Sequence, residues 1–207
     1  MVVVQNVPPR QRAVFILREV LGFSASETAD LLDMSVAAAN SSLQRARATV
    51  ADRMPRTTQS AELSRIGDDR VRDLADRYAT AIDEGDIAGL MVLLTTDARW
   101  SMPPHPHWYE GRRAIEEFHE QSVSGERWRH RATSANGQLA IGGYTFDETR
   151  GKYVATVLDV LTLRDGLVES VTAFITADVF RRNGEADNTY AGLVEFSRFG
   201  LPEELIE

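Results

Sequence analysis

Three long runs in the second half of the chain constrain its fold more than any other feature. Gln138 to Phe146, Lys152 to Arg164 and Leu167 to Thr176 are rich in Val, Thr, Leu and aromatic residues, the composition of strands. Only DETRG and Asp165-Gly166 separate them. An Asp-Gly pair between two such runs signals a two-residue hairpin, because both positions accept positive φ. Strands joined this tightly pair antiparallel, since a parallel crossover needs a dozen residues or more. The segment therefore predicts a meander.

Ahead of the meander the period changes. Val71, Leu74, Ala75, Tyr78, Ala81 and Ile82 recur at helical spacing until Glu84 and Gly85, and Asp86 then caps a helix carrying Ile87, Leu90, Met91, Leu93 and Leu94. Asp97 to Met102 reads as a short strand, followed by the loop PPHPHWYEG and an amphipathic helix through Ala114, Ile115 and Phe118. Helices first and a curved antiparallel meander after them predict an α+β domain. A sheet wrapped around helices in this way encloses a pocket.

Residues 1–54 read as three short helices. Pro8 and Pro9 suit a first turn, and Ala13, Val14, Leu17, Val20 and Leu21 follow at helical spacing until Gly22. Ser24 and Glu27 form a capping box ahead of Ala29, Leu31 and Leu32. Ser35 is a second N-cap, opening a longer helix whose stripe is Val36, Ala39, Leu43, Ala46 and Val50. At ~100° per residue the opposite face carries Ala37, Ser41, Gln44, Arg45 and Ala48, with Asn40 and Arg47 on its flank. Small and polar residues on one helical face fit a major groove, where Gln and Arg reach base edges or phosphates. The same spacing also describes a small helical interaction module whose polar residues are merely solvated.

Charge divides along the same boundary. The formal net charge of -8 is made of +1 over residues 1–54 and -9 over the rest. Taken whole, an acidic chain argues against a nucleic-acid partner; taken in parts, it is a near-neutral reader joined to an acidic domain. An acidic half that competes with DNA for the reader's arginines implies that deleting residues 56–207 raises DNA affinity, most at low salt. The chain has no cysteine, which excludes disulfides, thiolate zinc sites and cysteine nucleophiles and fits a cytoplasmic location. No stretch approaches the ~20 apolar residues that span a bilayer, so no membrane partner is expected. Segment 55–69, which begins PRTTQSAELSRIG, has few apolar residues and no sustained period and reads as a linker. The expected division is 1–54, a linker at 55–69, a domain at 70–182 and a C-terminal tail at 183–207. In that tail Leu193, Val194, Phe196 and Phe199 are expected to pack as a helix rather than fray.

Two resemblances sharpen this reading. The run from Val7 to Val50, with its opening PPRQR, then ILREVLG, SASETADLLD and S-V-x-x-x-x-S-x-L-Q-R-A-R, resembles region four of bacterial extracytoplasmic-function (ECF) sigma factors. The resemblance implies a helix-turn-helix that docks on the upstream, minus-35 promoter element and contacts the RNA polymerase core. By position it implies DNA contacts from Asn40, Ser41, Gln44, Arg45 and Arg47, with Arg12 on the DNA backbone. Such factors also carry a helical region two ahead of region four, for which this chain has no room, so these 207 residues are not expected to start transcription unaided. DARWSMPPHPHWYEGRRAIEEF and VLTLRDGLVESVTAFI resemble the SnoaL-like branch of the NTF2-like superfamily. The implied fold class is an all-α helix-turn-helix followed by an NTF2-like cone, with helices packed on a curved, mainly antiparallel sheet. The pairing of the two is a known sigma-factor architecture in which the second domain regulates the factor.

Within the second domain, isomerases of this fold place a carboxylate base in an apolar pocket, which makes a small-molecule isomerase or hydrolase the alternative function. Tyr78, Trp100, Met102, His105, Trp108, Tyr109 and Asp159 are expected to line the pocket. Tyr78 also reads as a core tyrosine with one satisfied hydroxyl, and Asp97 as a turn residue. Alternation places Asp159 on one face with Val157 and Leu161. If that face is the pocket, the carboxylate needs a partner or a function; if it is exposed, Asp159 carries no meaning. His105 and His107 lack a third ligand at convincing spacing, and His119 and His130 read as incidental. The expectation is a ligand-sized pocket without a complete catalytic set, with no metal, no cofactor and no enzyme activity.

Overall fold

The computed structural model describes residues 7–53, 58–103, 108–123, 125–176 and 194–206. Contacts divide the chain into two compact units, Met1–Arg56 and Thr57–Glu207.

The first unit is helical. Helix α1, Pro9–Phe15, continues as a π-helical turn, Ile16–Val20, before Gly22 at φ 73° ends the run. Helix α2, Ala25–Leu31, starts on the full capping box, with Ser24 Oγ accepting from the Glu27 N–H at 3.2 Å and Glu27 Oε2 accepting from the Ser24 N–H at 2.7 Å. Asp33 takes a positive φ of 46° in the turn that follows. Helix α3, Val36–Arg53, is then capped by Ser35 Oγ, which accepts from the Ala38 N–H at 3.1 Å. Ala39, Ser42, Leu43 and Ala46 are its buried stripe, and Val14 and Ala29 are buried on α1 and α2. Val36, expected in that stripe, is 45% exposed; it sits in the first turn, ahead of the buried positions.

The second unit begins earlier than its sequence indicates. Segment 55–69 is not a plain linker, because Gln59–Ile66 forms helix α4, N-capped by Thr58. Leu63 and Ile66 pack it on the core, and the polar side chains that mask it in the sequence add hydrogen bonds to the sheet. Strand β5, Lys152–Arg164, exchanges two hydrogen bonds with Gln59: Leu163 N–H donates to Oε1 at 2.7 Å, and Nε2 donates to the Leu163 carbonyl at 3.0 Å. Buried Glu62 accepts from both Arg65, at 2.8 Å, and the Gly166 N–H, at 3.3 Å. Gln59→Ala is expected to destabilise this unit by about 1–3 kcal/mol, read as a lower urea midpoint with an unchanged m-value.

Helices α5, Asp68–Asp83, and α6, Ile87–Leu93, follow, the latter capped by Asp86. Strand β1, Leu94–Ser101, starts directly on the end of α6 and carries Asp97 as a strand residue, not a turn. Strand β2, Trp108–Glu110, and helix α7, Arg112–Ser122, come next. The remaining elements are β3, Trp128–Ala135, β4, Gln138–Asp147, β5, β6, Leu167–Ile175, a 3-10 turn at Phe196–Phe199 and β7, Glu204–Leu205. The sheet runs β2-β1-β6-β5-β4-β3, with β7 on the overhanging start of β5; every pair is antiparallel except β1 with β6. Asp165 and Gly166, at φ 54° and 79°, make the type I′ hairpin that the dipeptide requires.

One face of the sheet packs on the helices through Leu74, Tyr78, Leu90, Leu94, Ile115, Ile141, Leu161 and Val168. The other face is closed by the C-terminal segment. Phe196 is fully buried against Tyr144, the Tyr144 hydroxyl donates to the Pro202 carbonyl at 2.9 Å, and Thr133 Oγ1 donates to the Phe199 carbonyl at 2.6 Å. The end of the expected tail is thus part of the second unit, packed as a 3-10 turn rather than a helix. Leu193 lies outside the described residues.

Candidate nucleic-acid face and ligand cavity

On α3 the alternation of buried and exposed positions leaves Asn40, Ser41, Gln44, Arg45 and Arg47 all exposed on the side away from the core. Their side chains are partly engaged within the unit. Ser41 Oγ donates to the Ala37 carbonyl at 2.9 Å, and Arg45 reaches buried Ser42 Oγ at 3.4 Å. Arg47 pairs with Glu19 Oε1 at 2.6 Å, a carboxylate on the π turn after α1. Arg12 Nη2 donates to the Val7 carbonyl at 3.1 Å.

The second unit contains a cavity of about 390 Å³ between the helices and the concave face of the sheet. Trp100, Met102, Phe118, Trp128, Val157 and Ile175 give it apolar walls, and His119, His130 and Asp159 bring polar groups to it. Alternation along β5 does place Asp159 on the cavity side with Val157 and Leu161, while Leu158 faces the C-terminal segment. The carboxylate is 2% exposed. Its Oδ2 accepts from the Tyr78 hydroxyl at 2.8 Å, and its buried Oδ1 has no hydrogen-bond partner among the described residues. Burial pushes its pKa up to about 6, partly offset by the Tyr78 hydrogen bond and by nearby His130. Tyr78, fully buried and stacked on Trp100 at 6.4 Å, has its own pKa raised by desolvation and by Asp159.

Of the other expected pocket residues, Trp100 and Met102 line the cavity, and Tyr78 sits behind it holding Asp159. Trp108 does not line it and is 62% exposed. The period of β2 explains this, since Tyr109 turns inward to stack on Phe118 at 4.6 Å and its neighbour must turn outward. Tyr109 therefore supports the wall from behind. His105 and His107 lie outside the described residues. Asp97 is exposed on β1 and paired with Arg164, which lowers its pKa.

The two histidines that read as incidental are cavity residues. His130 Nδ1 bonds Asp83 Oδ1 at 2.6 Å, and the His130 backbone N–H donates to Asp83 Oδ2 at 3.3 Å. His119 Nδ1 bonds the Ile115 carbonyl at 2.8 Å, and its ring packs edge-on to Trp100 at 4.5 Å; burial lowers its pKa and keeps it neutral. The sequence signal for His130 is the Asn136-Gly137 pair, which turns at φ 51° and 73° between β3 and β4. Among the described residues no three His, Asp or Glu side chains converge to hold a metal ion, and no helix is long and apolar enough to cross a membrane.

Both units match known families. Residues 2–50 match sigma-70 region 4, and residues 75–171 match the SnoaL-like domain. ECF RNA polymerase sigma factor SigG of Mycobacterium tuberculosis is 35% identical over 187 residues, which is 89% of this chain. The chain is a homologue of the ECF sigma factors. It spans about half the length of the curated relatives it matches, 50% of SigG. Among solved structures, the chain is similar to Mycobacterium tuberculosis ECF sigma factor SigJ, with a TM-score of 0.48 and 23% identity over 87% of this chain and 63% of that one. It is also similar to the Delta 5-3-ketosteroid isomerase from Mycobacterium sp., at a TM-score of 0.42 and 15% identity over 53% of this chain and 95% of that one. The region 4 match falls on the unit that carries α3, and the SnoaL-like match on the unit that encloses the cavity.

Proposed function

We propose that this chain is the promoter-reading and regulatory part of an ECF-type sigma factor: its first unit recognises the minus-35 element within RNA polymerase, and its SnoaL-like unit regulates that recognition as a small-molecule-binding domain. Its work is cytoplasmic and not catalytic. The observation that carries the reading is the coincidence on α3 of the region 4 match with a face of exposed Asn40, Ser41, Gln44, Arg45 and Arg47. Such a face contacts base edges with Gln and Arg and lets the backbone approach closely at Ser41. Arg12 and Arg47 are assigned to phosphates, and the polymerase core is the second partner. The regulatory reading of the second unit rests on the match of the chain to sigma factors rather than on the cavity chemistry, in which His130 bonds Asp83 and Asp159 bonds Tyr78.

The Arg47–Glu19 pair gives a direct test. Both side chains are partly exposed, so the pair itself adds little stability. It does hold an arginine that would otherwise meet a phosphate. Glu19→Gln is expected to raise affinity for promoter duplex about threefold at low salt and to lose that advantage as salt rises. Fluorescence anisotropy of the chain with RNA polymerase core and a labelled duplex reads both. Equal affinity of wild type and Glu19→Gln at every salt concentration would remove Arg47 from the DNA face.

A further inference from the structure

The acidity of the second unit is unevenly placed. Although the residues after 54 carry -9 in all, Arg127, Arg129 and Arg131 occupy every second position at the start of β3, and all three are exposed. Trp128 and His130, at the alternate positions, line the cavity. The arginines therefore stand in a row on the opposite face of the sheet. Two of them rest on aromatic rings: the Arg127 guanidinium lies 3.8 Å from the centre of the Phe146 ring, and that of Arg129 lies 5.2 Å from the centre of the ring of buried Tyr153. A guanidinium laid over a ring keeps its N–H groups free to turn outward and has less freedom to lose on binding.

Among the described residues neither Arg129 nor Arg131 forms an ion pair. The acids beside the row are few. Glu148 stands 3.7 Å from Arg127, and Glu203, which has Tyr144 as a neighbour in common with Arg131, accepts from the Ser197 N–H at 3.1 Å. Arg150 and Lys152, on the adjoining hairpin, are paired with Asp147 and Glu204.

We propose that this row is a second DNA contact of the chain, taking successive phosphates of one strand outside the element that α3 reads. This rests on reading the first unit as a DNA reader, which is what brings a polyanion to the chain. Side chains two apart on a strand stand roughly 6.7 Å apart, close to the spacing of successive phosphates along a DNA strand. Guanidinium groups suit phosphate oxygens, and contacts to phosphate carry no sequence information. Charge on an edge strand also discourages pairing with another chain, but that role needs neither alignment on one face nor aromatic support. The row acts against the repulsion of the acidic remainder, so removing the row lowers DNA affinity while deleting the whole unit raises it.

The test titrates the full chain into a fluorescein-labelled duplex of arbitrary sequence, about four helical turns long, and follows anisotropy across a salt series. In the double variant Arg129→Gln, Arg131→Gln, the slope of log affinity against log salt is expected to become shallower by about 1.8, two contacts at about 0.9 each. The advantage of wild type at about 50 mM salt then shrinks about tenfold by about 200 mM. Arg72→Gln with Arg77→Gln on α5, both exposed and paired within their own helix, makes the same change of charge and is expected to leave the slope as it is. Arg131→Gln alone, which keeps both stacked arginines, is expected to give half the change and reads the same contact if the double variant fails to fold. An unchanged slope in the β3 variants, or an equal change in the α5 control, overturns the contact while leaving the DNA reader standing. A β3 variant that loses affinity for polymerase core or for its own copies, with its DNA slope unchanged, assigns the row to a protein partner and also overturns it. Failure of wild type to bind any duplex at low salt overturns the DNA reader and this inference with it.

Discussion

Asp159→Asn is expected to make the second unit more stable at neutral pH, not less. Asp159 has its pKa raised from 3.8 to about 6 by burial, so the folded state binds its proton more tightly than the unfolded state does. Stability from this group is therefore undiminished below about pH 4, falls as pH rises through the interval, and stays low above about pH 6. A rise from 3.8 to about 6 corresponds to roughly 3 kcal/mol. Asparagine retains an acceptor for the Tyr78 hydroxyl and carries no charge to desolvate; its unpaired amide N–H returns about 1 kcal/mol of the gain. The net expectation is about 2 kcal/mol, or roughly 4–8 °C in Tm for a unit of this size. Glu62, Asp97 and Asp147 have lowered pKa values, so their contributions are lost only as pH falls through the lower acid range. The difference between wild type and variant isolates Asp159: the variant should be about 1 kcal/mol less stable at about pH 4, where only its unpaired amide counts, and about 2 kcal/mol more stable above about pH 6. A pH-independent difference, or a destabilised variant at about pH 8, would mean that the carboxylate is well satisfied in the fold.

The second large effect is expected at the opposite end of the chain. Arg45 is exposed in the middle of the α3 face, anchored by Ser42 Oγ at 3.4 Å on the buried side of the same helix. Truncating a base-reading arginine removes about 1–3 kcal/mol of discrimination at its position, a factor of roughly ten to one hundred. Arg45→Ala should therefore lose preference at one or two base pairs of the upstream element and little affinity for other DNA. Arg47→Ala, at a phosphate contact, should weaken binding to all sequences alike and flatten the salt dependence. Arg45→Ala gives up one long bond to Ser42 Oγ, and neither substitution removes an apolar side chain of the buried stripe of Ala39, Leu43 and Ala46, so both variants should fold as wild type does.

These two sites differ in how plainly the sequence announced them. The α3 face was legible because helical period, two N-caps and a buried stripe all specify one orientation. β4, β5 and β6 were legible for the parallel reason, with long β-branched runs joined by turns too short for any other topology. β3 was missed because WRHRATSA is an edge strand, polar on one side, and only Asn136-Gly137 marks its hairpin. His130 and its tie to Asp83 went with it. α4 was missed because only Leu63 and Ile66 pack it on the core, while Gln59 and Glu62 fasten it by polar bonds to β5 and to the turn after it. Asp159 was visible as a charge amid VATVLDVLTL, and alternation gave its neighbours. Which face it occupied depended on where the helices pack, with Tyr78 far away in sequence, and no local period carries that information. Trp108 was misplaced for a related reason: in a three-residue strand, which of two adjacent aromatics turns inward is set by Phe118 on the facing helix.

The central claim is that α3 reads promoter sequence, and selection of duplexes from a random pool by the full chain bound to RNA polymerase core tests it most directly. Wild type is expected to enrich one short motif, and Arg45→Ala to lose information at one or two positions of that motif while enriching the rest. Enrichment of no motif by wild type, or of an unchanged motif by Arg45→Ala, would contradict the claim.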